Sequence, residues 1–219
     1  MEEVFFSHNA AIVRASFPVS MDSGMTMEEF RDASAGYLER GFALVILALA
    51  GPAILLFALI NRIASHGPAF YSQIRVGKGG SLFPVYKLRT MVLEAEKKTG
   101  AILSWEGDPR ITPLGRFLRK THLDELPQLL NILRGEMSFI GPRPERPEFV
   151  RKFEDEVNRY TLRHKTRPGI TGLAQICCGY HATAEEKLEY DLVFIRNKHS
   201  LRMIGFILYR TALKVLQRQ

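Results

Sequence analysis

Neither HExxH nor a CxxC…H series occurs in the 219 residues, so the six histidines show no zinc-site spacing. Cysteine is scarce: the two present, Cys177 and Cys178, are adjacent, and sequence neighbours rarely reach disulfide geometry. This excludes a disulfide-stapled secreted domain and fits reduced thiols in a cytoplasmic compartment. GxxxxGKS/T and GxGxxG are missing too, so Gly77-Lys78-Gly79-Gly80 reads as a turn and not as a phosphate-binding loop. There is no internal repeat and no low-complexity tract. The length fits one domain whose core needs no staples.

Charge is absent from GFALVILALAGPAILLFALI, residues 41–60, between Arg40 and Arg62. Twenty helical residues rise about 30 Å, enough to span a bilayer core. The run starts too late for an ordinary signal peptide, and a domain this small rarely surrounds a helix apolar on every face. Gly51-Pro52 stands at its middle. Pro52 removes a backbone donor and clashes with the preceding turn, and Gly51 adds freedom. The pair fits a bent spanning helix. It fits equally a segment that turns back so that both arginine-flanked ends lie on the cytoplasmic side. Charge is also uneven. Residues 1–40 hold three basic and seven acidic residues, a net of −4, so with a total of +7 the remaining chain carries +11. A basic body points to an anionic partner: nucleic acid, anionic lipid or a phosphorylated substrate.

The rest reads as mixed helix and strand. Residues 25–40 form a short helix leading into the apolar run. AFYSQIRVGKGGSLFPVYKLRTM gives two strands around the glycine turn. VLEAEKKTG is expected as an exposed helix, SWEGDPRITP as a loop. LGRFLRKTHLDELPQLLNILRGEM gives two helices broken near His122, and FIGPRPERPEF an extended stretch. FEDEVNRYTLRHK and EEKLEYDLVFIRN are helical, and TRPGITGLAQI is a turn followed by a short strand. HSLRMIGFILYRTALKVLQRQ is a basic amphipathic helix, suited equally to the membrane interface and to packing on the domain.

The chemistry concentrates at THLDELPQLLN. Asp124 and Glu125 are adjacent, just ahead of Pro127, with Arg116, Arg119 and Lys120 before them. If a helix begins there, Pro127 is tolerated in its first turn, and the dipole and arginines favour ionised carboxylates. Consecutive helical residues point about 100° apart, so the two acids divide the work: one attacks or binds substrate, the other holds a metal or handles a proton. A lone Asp-Glu pair usually only caps a helix. Here GPRP (141–144) and RPG (167–169) add arginines on rigid, proline-flanked turns, suited to bidentate phosphate contacts. Mg²⁺ is the natural metal, since it binds through one or two carboxylates plus substrate phosphates.

YKLRTM (86–91), LDELPQLLNIL (123–133), RGEMSFIGPRPE (134–145), RPGITGLAQ (167–175) and EYDLVFIRN (189–197) together resemble the bacterial sugar transferases, the monotopic phosphoglycosyl transferases. The resemblance runs from about Tyr37 to the C-terminus. It implies an α+β fold: a re-entrant membrane helix broken at Gly51-Pro52, then a small, mainly helical cytoplasmic domain with a short β-hairpin and interfacial amphipathic helices. On that reading residues 1–36 are a mobile extension, 37–66 the membrane helix-break-helix and 67–219 the catalytic domain. It implies transfer of a sugar 1-phosphate from a UDP-sugar to undecaprenyl phosphate at the bacterial inner membrane, starting exopolysaccharide or other surface-glycan synthesis. Asp124 matches the nucleophile, and Glu125 the residue associated with Mg²⁺ and proton handling, both near the metal. Arg119, Arg143, Lys87, Arg89 and Arg167 match expected phosphate or nucleotide contacts. Two segments depart from the family pattern: Ile176-Cys177-Cys178-Gly179-Tyr180, where an arginine is expected, and Arg202-Met203-Ile204, where an acidic residue is. Gly51 also stands where a serine is usual. Membrane lipid is an expected partner and nucleic acid is not; monomer and homodimer both stay open. The rival readings are a membrane-bound Mg²⁺ phosphohydrolase and a non-enzymatic basic scaffold.

Overall fold

Helix α1 (Met25–Ala64), 40 residues long, organises the computed structural model. The structure describes residues 25–217 apart from 66, 98–99, 101, 103, 106 and 180–181. Most of the expected N-terminal extension lies outside the described residues, but 25–36 are part of the helix. Helix α1 also runs on through Gly51 and Pro52 with no interruption in its assignment, where the sequence leads one to expect a break. The packing supplies a reason. Ala43, Ile54, Ala58 and Asn61 are buried, and Leu47 and Ala50 pack beside them. These positions recur at helical spacing, so one stripe lies on the domain both before and after the proline.

The stripe faces a β-hairpin. Strands β1 (Phe70–Val76) and β2 (Leu82–Leu88) pair antiparallel, with Val76 opposite Leu82. Gly79 and Gly80 take φ of 65° and 79° in the connecting turn, conformations that favour glycine. Phe83 and Val85 alternate into a core with Ala43, Ile132 and Met137. Asn131, fully buried, donates to Pro84 O at 2.7 Å and accepts from Tyr86 N at 3.2 Å, which locks β2 to the later helices.

Helix α2 (Pro113–Lys120) follows an N-cap: Thr112 Oγ1 accepts from Gly115 N at 2.9 Å, and Pro113 starts the helix. Residues 93–97, expected as a helix, are turns, with Glu94 at φ 53°. Two short elements, α3 (Leu129–Leu133) and β3 (Ser138–Ile140), lead into α4 (Pro147–Glu156). Strand β4 (Gly169–Thr171) pairs parallel with β3. Helices α5 (Leu173–Cys177), α6 (Ala184–Asn197) and α7 (Leu201–Gln217) close a second core around Leu173, Phe194, Met203 and Ile207. Helix α7 buries one face there, as packing on the domain requires, and leaves Leu208, Tyr209 and Leu216 exposed.

Both ends of α1's apolar run are tied to this body. Near the start, Asp32 accepts from Lys198 Nζ at 2.8 Å, and Glu39 accepts from Arg167 Nη2 at 2.9 Å and from Ser138 Oγ. Near the end, Asn61 Nδ2 donates to Arg89 O at 2.7 Å, and Arg89 Nη2 donates to Ser65 O at 2.8 Å.

Helix α2 approaches the chain just after β2 so closely that a Cβ on Gly115 would lie 2.0 Å from Thr90 O. Gly115→Ala therefore overpacks the contact and is expected to cost about 1–3 kcal/mol, read as a melting temperature several degrees lower in detergent. Gly51→Ala meets nothing within 4 Å and is expected to leave it unchanged or slightly raised. Equal melting temperatures for wild type and Gly115→Ala would refute the close approach.

Candidate active site

The acidic pair follows a deliberate interruption. His122 adopts a left-handed φ of 56° after α2, and the chain re-enters as a 3₁₀ turn, Leu123–Gln128, with Asp124 and Glu125 in its first turn. The break near His122 is where the sequence places it. The α-helical first turn is not: the dyad sits on a 3₁₀ turn, whose short backbone has little dipole to stabilise charge. Electrostatics comes instead from neighbouring side chains, and it treats the two acids differently.

Glu125 is clamped. Its Oε1 accepts from Lys87 Nζ at 2.6 Å and from Arg143 Nη2 at 2.8 Å. Burial opposes its charge, but Arg143 and Lys87 outweigh it and hold the carboxyl far below the usual range. Lys87 reaches this point because it continues the inward-facing row of Phe83 and Val85 on β2. Burial pushes its ammonium down, while Glu125 pushes back.

Asp124 is 6% exposed, and among the described residues its carboxylate takes no hydrogen bond or ion pair. Burial lifts it to about 6, with the Glu125 charge adding to the rise and Lys87, Arg119 and Arg143 pulling against it. The nearby cations favour ionisation, as expected from sequence, but burial works against them. The pair consists of one anchored anion and one carboxyl raised by burial, with no hydrogen bond or ion pair among the described residues.

Arg119 lies near Asp124 and is aimed by others: Nε donates to Thr90 Oγ1 and Nη1 to Ser104 Oγ, each at 2.8 Å. Ser104 Oγ donates to Asp108 Oδ2 at 3.2 Å, and Arg110 grips Asp108 through Nε and Nη2 at 2.9 and 2.6 Å. Arg110 holds Asp108 down to about 2 and stacks over Trp105 at 5.0 Å. The sequence reading passed over this support. Its signal is the Asp108-Pro109-Arg110 turn, where Asp108 accepts from the backbone N–H two residues on at 3.0 Å.

Arg143 sits on a loop bonded at every residue from 141 to 145. Gly141 N donates to Thr171 O at 2.9 Å, and Pro142 O accepts from Gly169 N at 3.0 Å. Arg143 O accepts from Arg163 Nη2 at 2.9 Å, Pro144 O from Arg75 Nη1 at 3.1 Å, and Glu145 O from Val76 N at 3.0 Å. The loop is fixed while the Arg143 side chain stays 44% exposed.

Asp124, Glu125, Lys87, Arg119 and Arg143 therefore come together. Arg89 and Arg167, expected at the phosphates, are engaged elsewhere: Arg89 holds Ser65 and Arg167 holds Glu39, so both secure α1. Gly51 and Pro52 belong to the body of α1. The two departures from the family pattern meet away from the dyad, with Ile176, Cys177 and Met203 in one buried cluster. They pack a core; Tyr180 lies outside the described residues. No group of three or more His, Cys, Asp or Glu able to hold a metal occurs among the described residues. Asp124, with no hydrogen bond among the described residues, and Glu125, whose Oε1 is already taken by two cations, are the carboxylates that would face Mg²⁺, an ion that takes its remaining ligands from water and substrate phosphate.

The chain is similar to known proteins over most of its length. A family model described as "Bacterial sugar transferase" matches residues 32–218. A UDP-N-acetylgalactosamine-undecaprenyl-phosphate N-acetylgalactosaminephosphotransferase of Aeromonas hydrophila is 40% identical over 187 residues, covering 82% of this chain and 44% of that protein. A putative undecaprenyl-phosphate N-acetylgalactosaminyl 1-phosphate transferase of Bacillus subtilis is 52% identical over 122 residues, 56% of this chain and 68% of that protein. An undecaprenyl-phosphate galactose phosphotransferase of Salmonella typhimurium is 36% identical over 203 residues, 84% and 42% respectively. The chain thus spans less than half the length of the Aeromonas and Salmonella relatives.

The opposite environments of the dyad are measurable without substrate. In protein labelled at side-chain carboxyls, NMR is expected to show Asp124 titrating near pH 6 and Glu125 still ionised at the acid limit of folding. Arg143→Ala removes one of the two cations on Glu125 and should raise its pKa. Equal titration of both acids near their ordinary values would show the clamp to be wrong.

Proposed function

The chain belongs to the bacterial sugar transferase family, and from that premise we propose that it transfers a sugar 1-phosphate from a UDP-sugar to undecaprenyl phosphate, releasing UMP. The observation that carries this is the asymmetric dyad. A buried carboxyl with no hydrogen bond among the described residues stands beside an anion held by two cations, with a further arginine at hand. Relatives differ in the sugar their names give, N-acetylgalactosamine, galactose or glucose, so family membership alone does not choose the sugar.

The reaction divides into two displacements. An Asp124 carboxylate oxygen attacks the phosphorus that bears the sugar. The bond from that phosphorus to the bridging oxygen breaks, and UMP leaves with the electron pair. A phosphate oxygen of undecaprenyl phosphate then attacks the same phosphorus, restoring the Asp124 carboxylate. A covalent intermediate suits a soluble donor and a lipid acceptor, which need not be bound together. Arg143 and Arg119 meet the diphosphate charge with guanidinium groups that are already positioned. Glu125, ionised throughout, keeps Arg143 and Lys87 in place and makes a poor proton carrier. Asp124 and Glu125 are the side chains that would hold Mg²⁺, whose chemistry is to neutralise the donor's diphosphate.

The same packing supports a monotopic attachment. One helix, Ser34–Ala64, is long and apolar enough to cross a membrane. Its outer face exposes Leu38, Phe42, Val45, Leu49, Leu59 and Ile63. Yet Asp32 and Glu39 at one end and Asn61 and Ser65 at the other are bonded to the same polar body. A helix crossing perpendicular would separate those ends by about 30 Å of hydrocarbon, which a charged domain cannot follow. In our reading α1 stays on the cytoplasmic side of the inner membrane with its exposed apolar face in the lipid, both ends of the helix returning to the same domain, and the product starts surface-glycan assembly.

Two experiments test this. With radiolabelled UDP-sugar and no lipid, wild type is expected to release one burst of UMP and keep label on protein after denaturation; Asp124→Asn should do neither. The burst rate should fall about tenfold per pH unit below about 6, since attack needs the ionised carboxyl. Continuous UMP release without lipid would indicate a hydrolase, and labelled Asp124→Asn would rule out this nucleophile. For topology, single cysteines at Arg31 and Lys152, in a background without Cys177 and Cys178, should both resist an impermeant reagent in intact spheroplasts. Labelling of position 31 alone would establish a spanning helix.

A further inference from the structure

Arg163 is the most deeply committed arginine outside the dyad. It is 5% exposed, on the 3₁₀ turn Tyr160–Lys165. Its Nε donates to Asp191 Oδ2 at 3.1 Å, and Nη2 lies 2.9 Å from the same oxygen. Its Nη1 donates to the Tyr160 hydroxyl, and its guanidinium carbon stands 4.9 Å from the Tyr160 ring centre. Nη2 also donates to the backbone carbonyl of Arg143 at 2.9 Å. Asp191, on α6, is 1% exposed.

Burying an ion pair is a poor way to gain stability, because desolvation offsets most of the attraction. A neutral donor could satisfy one carbonyl more cheaply. A guanidinium adds a planar fork whose orientation is fixed from three sides, here by Asp191, Tyr160 and the carbonyl. Arg143 O is separated by few bonds from the side chain that reaches Glu125, so fixing the carbonyl limits where that side chain can swing.

We propose that Arg163, held by Asp191 and Tyr160, is a positioning residue that sets the Arg143 guanidinium between Glu125 and the donor diphosphate. It touches no substrate itself and acts through Arg143. This assigns the Asp of EYDLVFIRN to the site from 28 residues away from Arg163 in sequence. The inference rests on the transferase reading for its assay and on the geometry alone for its logic.

A double-mutant cycle between Arg163 and Arg143 tests it, with UMP release from UDP-glucose, UDP-galactose and UDP-N-acetylgalactosamine measured in the presence of undecaprenyl phosphate. Arg163→Lys should lower kcat/KM about 10-fold or more, because lysine lacks the fork. In an Arg143→Ala background the same change should cost less than about 2-fold, since nothing remains to be positioned. Tyr160→Phe keeps the bonds to Asp191 and the carbonyl, so it should fold even where Arg163→Lys does not. It should cost about 2–5-fold alone and nothing measurable in the Arg143→Ala background. Equal losses in both backgrounds would mean that Arg163 only holds the fold, and full activity of Arg163→Lys would mean that the carbonyl contact is idle; either overturns the proposal. Calorimetric titration of the same proteins with the three UDP-sugars separates the two readings. A wild type that binds but releases no UMP fails the transferase reading, and the cycle is then read from affinity. Additive losses alongside a normal wild type fail the positioning alone.

Discussion

One carboxylate oxygen, Glu125 Oε1, accepts from both Lys87 and Arg143. Much of the molecule is organised so that those two cations can meet there. Lys87 comes from a row on β2 whose other members, Phe83 and Val85, are apolar, and Arg143 from a loop bonded at every residue from 141 to 145. The 3₁₀ turn presents the acid between them. Because the clamp consumes the charge of Glu125, its neighbour can be left without a partner. Asp124 then keeps the reactivity of a buried carboxyl, raised to about 6, where an ion pair would have quenched it. Adjacency in sequence gives the pair one location, and the difference in partners gives it two roles.

The apolar helix does double duty. Its stripe of Ala43, Ile54, Ala58 and Asn61 walls the core that holds β2 and α2, and those elements carry Lys87 and Arg119. The exposed apolar side and the site-supporting side belong to one helix, so in the proposed reading attachment and catalysis are mechanically linked. Arg89 and Arg167 make the same point. Both sit in motifs that suggest phosphate binding, and both are used to fasten this helix.

What the sequence made legible were features encoded locally. The glycine turn of the hairpin, the break near His122, the apolar run and the acidic pair each depend on neighbours within a few residues. The turns at 93–97 were misread because the charged composition of that stretch suits a helix, while the bridge between Met91 and Ile111 and the left-handed Glu94 bend it otherwise. The continuity of α1 through Pro52 was hidden as well, since it depends on a domain surface that supports both halves. Which basic residues face the dyad was legible only in part: Arg119, Arg143 and Lys87 do, whereas Arg89 and Arg167 do not. Arg119 and Arg89 look alike in sequence, and only the third dimension shows that Ser65 claims one while Thr90 and Ser104 aim the other. Arg163 and Asp191 pair across 28 residues with no local signature.

The fastening of α1 also constrains the order of assembly. Its far end bonds to Arg89, 28 residues after Asn61, so that contact can form early in synthesis. Its near end waits much longer: Glu39 bonds to Arg167, 128 residues on, and Asp32 to Lys198, 166 residues on. On a ribosome the helix would be complete long before its last partners exist. Its apolar surface needs shelter in the interval, and in the proposed reading the bilayer would supply it. Membrane insertion would then be an early folding step, with the domain closing over a helix already in place.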